Sequence, residues 1–472
     1  MFIRRFFEPK LAQASYLIGC AVAREAIVID PNRDAEPYVR AAEAEGLRIA
    51  HVTETHIHAD FLSGSRELAA RTGARLYLSD EGDAAWKYAF ATDPGVTLVR
   101  DGDRITIGNV RVDVVHTPGH TPEHLSFLIT DGAVADEPIA AATGDFIFVG
   151  DVGRPDLLER AANIKGTMEA GARTLYRSLQ AFARRPDWLQ IWPGHGAGSS
   201  CGKGISAIPH STLGYERRFN WAFQAANEDA FVQSVLAGQP EPPKYFAVMK
   251  QLNKEGPRVL GGFARPPRLD LAALEARLAS GGLVVDARPA ADYAVSHIPG
   301  TINIPLNGSF TTWAGWLIPY TADVLVIADG GAVDAIVRDL AMIGLDRIGG
   351  VFDPTVVDDW AAAGKRVGTV PQITVSDLRE SLAHQGVTLL DVRNENEWQG
   401  GHIEGARHIP LGYLTDRLAD VPRTRPIVVQ CAAGARSSIG ASLLRAHGVE
   451  PPVINLVGGI GEWRKAGLPT VN

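Results

Sequence analysis

The chain has 472 residues, of which 46% are hydrophobic and 21% charged, with a formal net charge of −8. At roughly 100–200 residues per domain, this length suggests about three domains with ordinary globular cores. The acidic balance excludes the basic footprint of a nucleic-acid-binding protein, and no apolar run reaches the roughly 18 residues of a membrane span.

At the N-terminus, Arg4 and Arg5 precede a partly apolar run ending at Leu17-Ile18-Gly19-Cys20, which superficially suggests a lipoprotein signal. Glu8 and Lys10 interrupt that run, so it is expected to form the first strands of a domain with Cys20 in its core. The three cysteines, Cys20, Cys201 and Cys431, are too few and too scattered for a disulfide framework. They fit a reducing, cytoplasmic compartment in which one thiol does chemistry.

Residues 1–237 read as alternating strands and helices. Ala26–Asp30, Arg48–Thr53, Val110–Val115, Leu125–Ile129 and Leu189–Trp192 are strand-like, and Glu36–Glu45 and Ser65–Thr72 have helical spacing. Residues 238–267, from Gln239-Pro240-Glu241-Pro242-Pro243 to Arg265-Pro266-Pro267, read as a linker region around an ordered segment. An internal repeat follows. Val284-Val285-Asp286-Ala287-Arg288 returns as Leu389-Leu390-Asp391-Val392-Arg393, and His297-Ile298-Pro299-Gly300 as His402-Ile403-Glu404-Gly405, at a common offset of 105 residues. So long a period marks two copies of a domain, 268–370 and 371–472, because solenoid repeats run only about 20–50 residues.

Chemistry-bearing residues sit at predicted strand ends of the first region. Thr55-His56-Ile57-His58-Ala59-Asp60-Phe61 follows one strand; His116-Thr117-Pro118-Gly119-His120, Thr143-Gly144-Asp145 and Pro193-Gly194-His195-Gly196 follow others. Imidazoles and carboxylates gathered in this way are a metal-ligand set. The set resembles the metallo-β-lactamase superfamily, in particular its glyoxalase-II-like and persulfide dioxygenase branch. That resemblance implies a four-layer αββα sandwich with the site at one edge.

One departure stands out. The superfamily motif His-x-His-x-Asp-His ends here in Phe61, which donates nothing to a metal. A binuclear centre thereby loses a ligand, and one ion is expected. The persulfide dioxygenase resemblance implies Fe(II) held by His56, His120 and Asp145, two imidazoles and a carboxylate that leave open positions for substrate and O₂. It leaves His58, Asp60 and His195 to orient those ligands or the substrate, with His58 still open as a ligand. His116 and His124 read as structural. Arg154, in Gly150-Asp151-Val152-Gly153-Arg154-Pro155-Asp156, offers a partner for a substrate carboxylate. Cys201, six residues after His195, offers a thiol that accepts or relays sulfur.

Both repeats resemble rhodanese domains, giving an α/β multidomain architecture: the sandwich, then two rhodanese-like modules. In the second, the strand pattern Ile427–Gln430 ends in Cys431-Ala432-Ala433-Gly434-Ala435-Arg436-Ser437, and a helix pattern follows over Ser438–His447. Backbone N–H groups and the helix N-terminus surround Cys431 and favour a persulfide anion, and Arg436 adds a cation. Four residues separate Cys431 from Arg436, the loop length of sulfur-transferring rhodaneses and one shorter than that of the related phosphatases. In the first copy Asp329 and Asp334 stand where the Cys and Arg should be, so residues 268–370 read as a structural or docking domain.

Together the resemblances imply oxidation of a low-molecular-weight thiol persulfide, such as that of glutathione or coenzyme A, by O₂ to sulfite. Cys431 then carries sulfane sulfur to sulfite, giving thiosulfate, or supplies the persulfide in the reverse order. The alternatives are a zinc-dependent glyoxalase-II-type thioester hydrolase fused to a sulfurtransferase, and a sulfane-sulfur carrier in which only Cys431 turns over. Relatives of this kind imply a homo-oligomer, a dimer or tetramer, with neither nucleic acid nor membrane as partner.

Overall fold

A computed structural model describes residues 1–157, 159 and 166–472. It divides into two compact units: residues 1–263 with 341–344, and residues 264–340 with 345–472. Among the described residues no helix is long and apolar enough to cross a membrane.

The first unit holds two sheets. β1 (Phe2–Glu8), β2 (Gln13–Cys20), β3 (Glu25–Ile29), β4 (Arg48–Thr53), β5 (Arg75–Ser79) and β6 (Val96–Val99) follow one another in sequence order across the first. The second contains β7 (Arg104–Ile107), β8 (Val110–His116), β9 (Leu125–Asp131), β10 (Ala140–Gly144), β11 (Gln190–Pro193) and β12 (Ser211–Thr212), also in order. Period-two patterning explains the facing: in β8, Val110, Val112 and Val114 are buried while Arg111 and Asp113 are partly exposed. They join Tyr16, Ile18 and Ile27 of the first sheet and Leu125, Phe127 and Ile129 of the second in one core between the sheets. β2 is buried along its whole length, because the helix Glu36–Ala44 also covers its far side through Tyr38 and Ala41. The helices Thr167–Phe182 and Glu228–Leu236 cover the second sheet. This is the expected αββα sandwich, and Cys20 lies in its central core.

The region expected to be a linker belongs in part to this unit. The helix Tyr245–Glu255 buries Tyr245, Phe246, Met249 and Asn253. Asn253 Nδ2 donates to the carbonyls of His58 and Phe61, both at 2.8 Å, and its Oδ1 accepts from Ser63 N–H at 2.9 Å. The proline-rich flanks therefore bracket a helix that ties down the His56–Phe61 loop.

The second unit contains two all-parallel sheets. β13 (Val284–Asp286), β14 (Ile302–Asn303), β15 (Val324–Ile327) and β16 (Ile348–Phe352) pair in the order β14-β13-β15-β16. β17 (Gln372–Ile373), β18 (Thr388–Asp391), β19 (Arg407–His408), β20 (Ile427–Gln430) and β21 (Val453–Leu456) pair in the order β17-β21-β20-β18-β19. Central strands covered on both faces read as continuous apolar runs, as β15 and β20 do. The two copies repeat the same detail: Asp286 pairs with Arg288 and Asp391 with Arg393, each at 2.7 Å.

Candidate metal centre and sulfur-transfer loop

The metal candidates converge because each follows a strand end on one rim of the sandwich. His56 and His58 follow β4, His120 follows β8, Asp145 follows β10, and His195 follows β11. The ligating atoms of His56, His120 and Asp145 all lie within 4.8 Å of one another, and all three residues are buried.

Hydrogen bonds behind the imidazoles aim them inward. Asp30 accepts from Thr55 N–H at 2.6 Å and from Thr55 Oγ1 at 2.9 Å, and Thr55 Oγ1 lies 2.9 Å from His56 Nδ1. His120 Nδ1 donates to the Arg154 carbonyl at 2.9 Å. With both Nδ1 atoms engaged, the Nε2 atoms face Asp145 Oδ2 at 3.9 and 3.6 Å. Asp145 N–H donates to His124 Nε2 at 3.2 Å, so the histidine read as structural also positions this candidate ligand. Beyond the Cys201 thiol and His195 Nε2, 3.3 Å from Oδ1, nothing among the described residues satisfies the carboxylate of buried Asp145. A buried carboxylate ringed by imidazole nitrogens is costly without a cation and natural with one. Two nitrogens and an oxygen suit a divalent transition metal. Gly194 leaves the space, since a Cβ there would lie 2.8 Å from Asp145 Oδ1.

Burial pushes the His56 imidazole well below its ordinary pKa and also lowers that of His120, so both are neutral and ready to coordinate. His58 behaves differently. Burial would lower it too, but Asp30, Glu54 and Asp60 outweigh that and lift it to about 9. Its Nε2 lies 3.1 Å from Asp30 Oδ1, and it stands outside the three-ligand cluster. Phe61 is buried with its ring centroid 4.4 Å from that of His58.

A second group adjoins the first. Asp60, His195 and Cys201 are buried with ligating atoms within 4.8 Å of one another. His195 Nδ1 donates to the Ala12 carbonyl at 3.1 Å, and its Nε2 lies 3.2 Å from Asp60 Oδ2 and 3.3 Å from Asp145 Oδ1. Burial, reinforced by Asp60 and Asp145, pushes the Cys201 thiol well above its usual range and keeps it protonated. Its loop is pinned on both sides: Asp151 accepts from Lys203 and Gly204 N–H at 2.8 and 2.7 Å, and Arg154 donates to the Ser200 carbonyl at 3.0 Å.

Arg154, expected to meet a substrate carboxylate, already has a carboxylate beside it. The side chain is wholly buried, and its guanidinium forms a bidentate pair with Asp156 at 2.8 Å on both arms. Through its carbonyl and its guanidinium Arg154 ties the candidate ligand His120 to the Cys201 loop. Arg154→Lys keeps the charge but loses the fork, so metal affinity is expected to fall about tenfold in a protein that still folds. Metal titration alongside a thermal melt checks this.

Sequence reasoning missed Glu54 as well as Asn253. Buried Glu54 accepts from the hydroxyls of Ser63, Ser65 and Tyr88 and fixes the turn after the His56–Phe61 loop. Burial raises its carboxyl against the pull of those donors.

In the second unit, Cys431 follows β20 and is buried. Gly434 N–H donates to its Sγ at 3.1 Å, and Ser437 Oγ lies 3.5 Å away. The helix begins earlier than expected, at Ala435, because Gly434 at φ +100° turns the chain into it. Gly459, at φ +57°, packs against the loop so closely that a Cβ would lie 2.2 Å from the Cys431 carbonyl. Arg436 is not free: its guanidinium forks onto Glu397 at 2.6 and 2.7 Å. In the first copy, exposed Asp329 follows β15 and Asp334 lies on the helix Val333–Met342, so that loop presents carboxylates.

Family models agree with this division. The metallo-beta-lactamase superfamily model matches residues 9–195, and the rhodanese-like domain model matches 270–348 and 374–466. A crystal structure of a metallo-beta-lactamase from Staphylococcus aureus subsp. aureus COL is 42% identical, with 75% of this chain and 99% of that one covered and a TM-score of 0.68. Bos taurus mitochondrial persulfide dioxygenase ETHE1 is 29% identical over 198 residues, covering 41% of this chain and 67% of the relative. The hydroxyacylglutathione hydrolase of Rhodospirillum rubrum is 31% identical over 181 residues, covering 38% of this chain and 60% of the relative.

Proposed function

Since this chain belongs to the metallo-beta-lactamase superfamily and carries two rhodanese-like domains behind that fold, we propose that it oxidises a low-molecular-weight thiol persulfide with O₂ to sulfite and passes sulfane sulfur through Cys431 to form thiosulfate. The observation that carries this reading is the cluster of His56, His120 and Asp145, two imidazoles and one carboxylate, with Phe61 where a further imidazole would stand. The likeness to the bovine persulfide dioxygenase supports iron. A ferrous ion held by these residues supplies O₂ activation and a soft site for persulfide sulfur.

The chain's own groups do the rest. Asp30 through Thr55, and the Arg154 carbonyl, lock the two rings. His195, held by Ala12, presents Nε2 to the same cavity; burial would lower its pKa, but Asp145 and Asp60 outweigh that and raise it, and the protonated ring donates a hydrogen bond to a developing anion. Phe61, Ile57 and Phe148 are buried close by in sequence or packing and help exclude water. At Cys431 the thiolate attacks the outer sulfur of a persulfide, R–S–SH, the S–S bond breaks and the thiolate R–S⁻ leaves; Gly434 N–H steadies the sulfur. Sulfite then attacks the outer sulfur, and the electron pair of the broken S–S bond returns to Cys431.

The test is O₂ consumption by iron-loaded protein given glutathione or coenzyme A persulfide, with sulfite and thiosulfate quantified. No uptake with either substrate overturns the reading. A zinc-dependent thioester hydrolase remains the second reading, and Asp60, His195 and Cys201 favour it as a second ligand group beside the first. Two equivalents of zinc with thioester cleavage in the same assays would select it.

A further inference from the structure

The Cys431 loop has one side-chain cation, and its charge is already balanced. Both terminal nitrogens of Arg436 are committed to the Glu397 carboxylate at 2.6 and 2.7 Å. Such a bidentate pair is strong and geometrically fixed. Glu397 cannot swing away freely, because its Oε2 also accepts from Asn394 N–H at 3.1 Å as part of a capping box. Its carbonyl accepts from Arg393 Nη1 at 2.9 Å, and Arg393 is itself held by Asp391. The carboxylate is thus built into the first turn of the helix Glu395–Gln399.

An anion in this loop draws on two sources: backbone N–H groups at the start of the helix Ala435–Ala446, of which Gly434 N–H already faces Sγ, and the guanidinium. With Arg436 neutralised, only the first is left in full. Backbone donors suffice for the single, diffuse charge of a persulfide sulfur. Sulfate, hydrogen phosphate, sulfite and thiosulfate bring a second charge close to Glu397.

We propose that Glu397 is a specificity-determining residue of the sulfur-transfer site, which by neutralising Arg436 keeps dianionic oxyanions from lodging in the Cys431 loop while leaving persulfide donors unhindered. This rests on Cys431 being the sulfur carrier. In the step Cys431–S–S⁻ + SO₃²⁻ → Cys431–S⁻ + S₂O₃²⁻, one S–S bond breaks and one forms, and no oxidant is needed. The product dianion meets the same repulsion, so thiosulfate leaves readily and is a poor donor in reverse. The cost falls on oxyanion binding and spares the half-reaction that loads Cys431.

The experiment compares the full chain with Glu397→Gln and Glu397→Asp. Sodium sulfate is titrated calorimetrically at constant ionic strength, and KM is measured for thiosulfate as donor and for glutathione persulfide loading of Cys431. Glu397→Gln is expected to bind sulfate at least about tenfold more tightly and to lower the thiosulfate KM to match, while persulfide loading changes less than about twofold. Glu397→Asp is expected to keep the weak sulfate binding of the parent. If Glu397→Gln does not fold, Glu397→Ala is read by the same titration. Sulfate affinity unchanged in the neutral variant, or a matching change in KM for both donors, would overturn the proposal and leave Glu397 as a structural brace. Sulfate binding needs no turnover. A protein that shows the sulfate effect but never loads sulfur on Cys431 keeps the gate and loses the carrier reading.

Discussion

Asp145→Ala is expected to remove metal binding and O₂ consumption together while leaving sulfur transfer by Cys431 at the parent rate. Asp145 is the only carboxylate in the three-ligand group, with Oδ2 facing both His56 and His120 and Oδ1 facing His195. Perturbing a residue behind a ligand typically costs about 10–100-fold in metal affinity, so losing the anionic ligand itself is expected to cost at least about 100-fold. The fold should survive. The backbone bond from Asp145 N–H to His124 is independent of the side chain, and His195 keeps Asp60 as a partner at 3.2 Å. Removing a buried carboxylate can even raise the stability of the metal-free protein. Metal content after anaerobic loading, O₂ uptake with a persulfide, and a thermal melt together test this. A variant that keeps a full equivalent of iron, or that still consumes O₂ at the parent rate, would place the centre elsewhere.

Much of that centre was legible in the sequence, and the reason is topological. His56, His120, Asp145 and His195 each lie just past a strand, and the strands of an αββα sandwich end on a common rim, so local motifs predict a shared site without any knowledge of packing. The rhodanese repeat was legible for a similar reason: a buried parallel strand, a loop and a helix recur with their Asp–Arg pair intact. What stayed hidden depends on partners distant in sequence or on burial. Asn253 holds the carbonyl of His58 from 195 residues away, inside a stretch whose prolines suggested a linker. Arg154 reads in the sequence as a partner for a substrate carboxylate, and only the tertiary fold, which buries both Arg154 and Asp156, pairs it with that near neighbour. Glu397 and Arg436 are 39 residues apart, and no periodicity connects them. Cys201 could be read as a reactive thiol from its glycine- and serine-rich loop; its burial beside Asp60 and Asp145, which holds the proton on, could not.

Cys431→Ser is the complementary test, and its expected effect is as large. Serine is nearly the same size, accepts the Gly434 N–H in place of sulfur, and leaves the backbone contacts of the loop, such as Ile460 N–H to the Cys431 carbonyl at 2.8 Å, untouched. The module should therefore fold and melt as the parent does. A buried serine hydroxyl, however, is neither ionised near neutral pH nor able to hold a sulfane sulfur, so transfer is expected to fall by at least about 1000-fold. Neither candidate metal-binding group includes this residue. O₂ uptake with a persulfide should continue, and the product should shift from thiosulfate to sulfite, because sulfite then meets no enzyme-bound sulfur. That shift in product with uptake preserved is what separates two coupled sites from one. If Cys431→Ser abolishes O₂ uptake as well, the loop supplies the persulfide that the metal centre consumes, and the order of the two half-reactions is reversed. If thiosulfate still forms at the parent rate, sulfur is carried elsewhere in the chain, and Cys201, the thiol beside Asp60 and His195, becomes the residue to replace next.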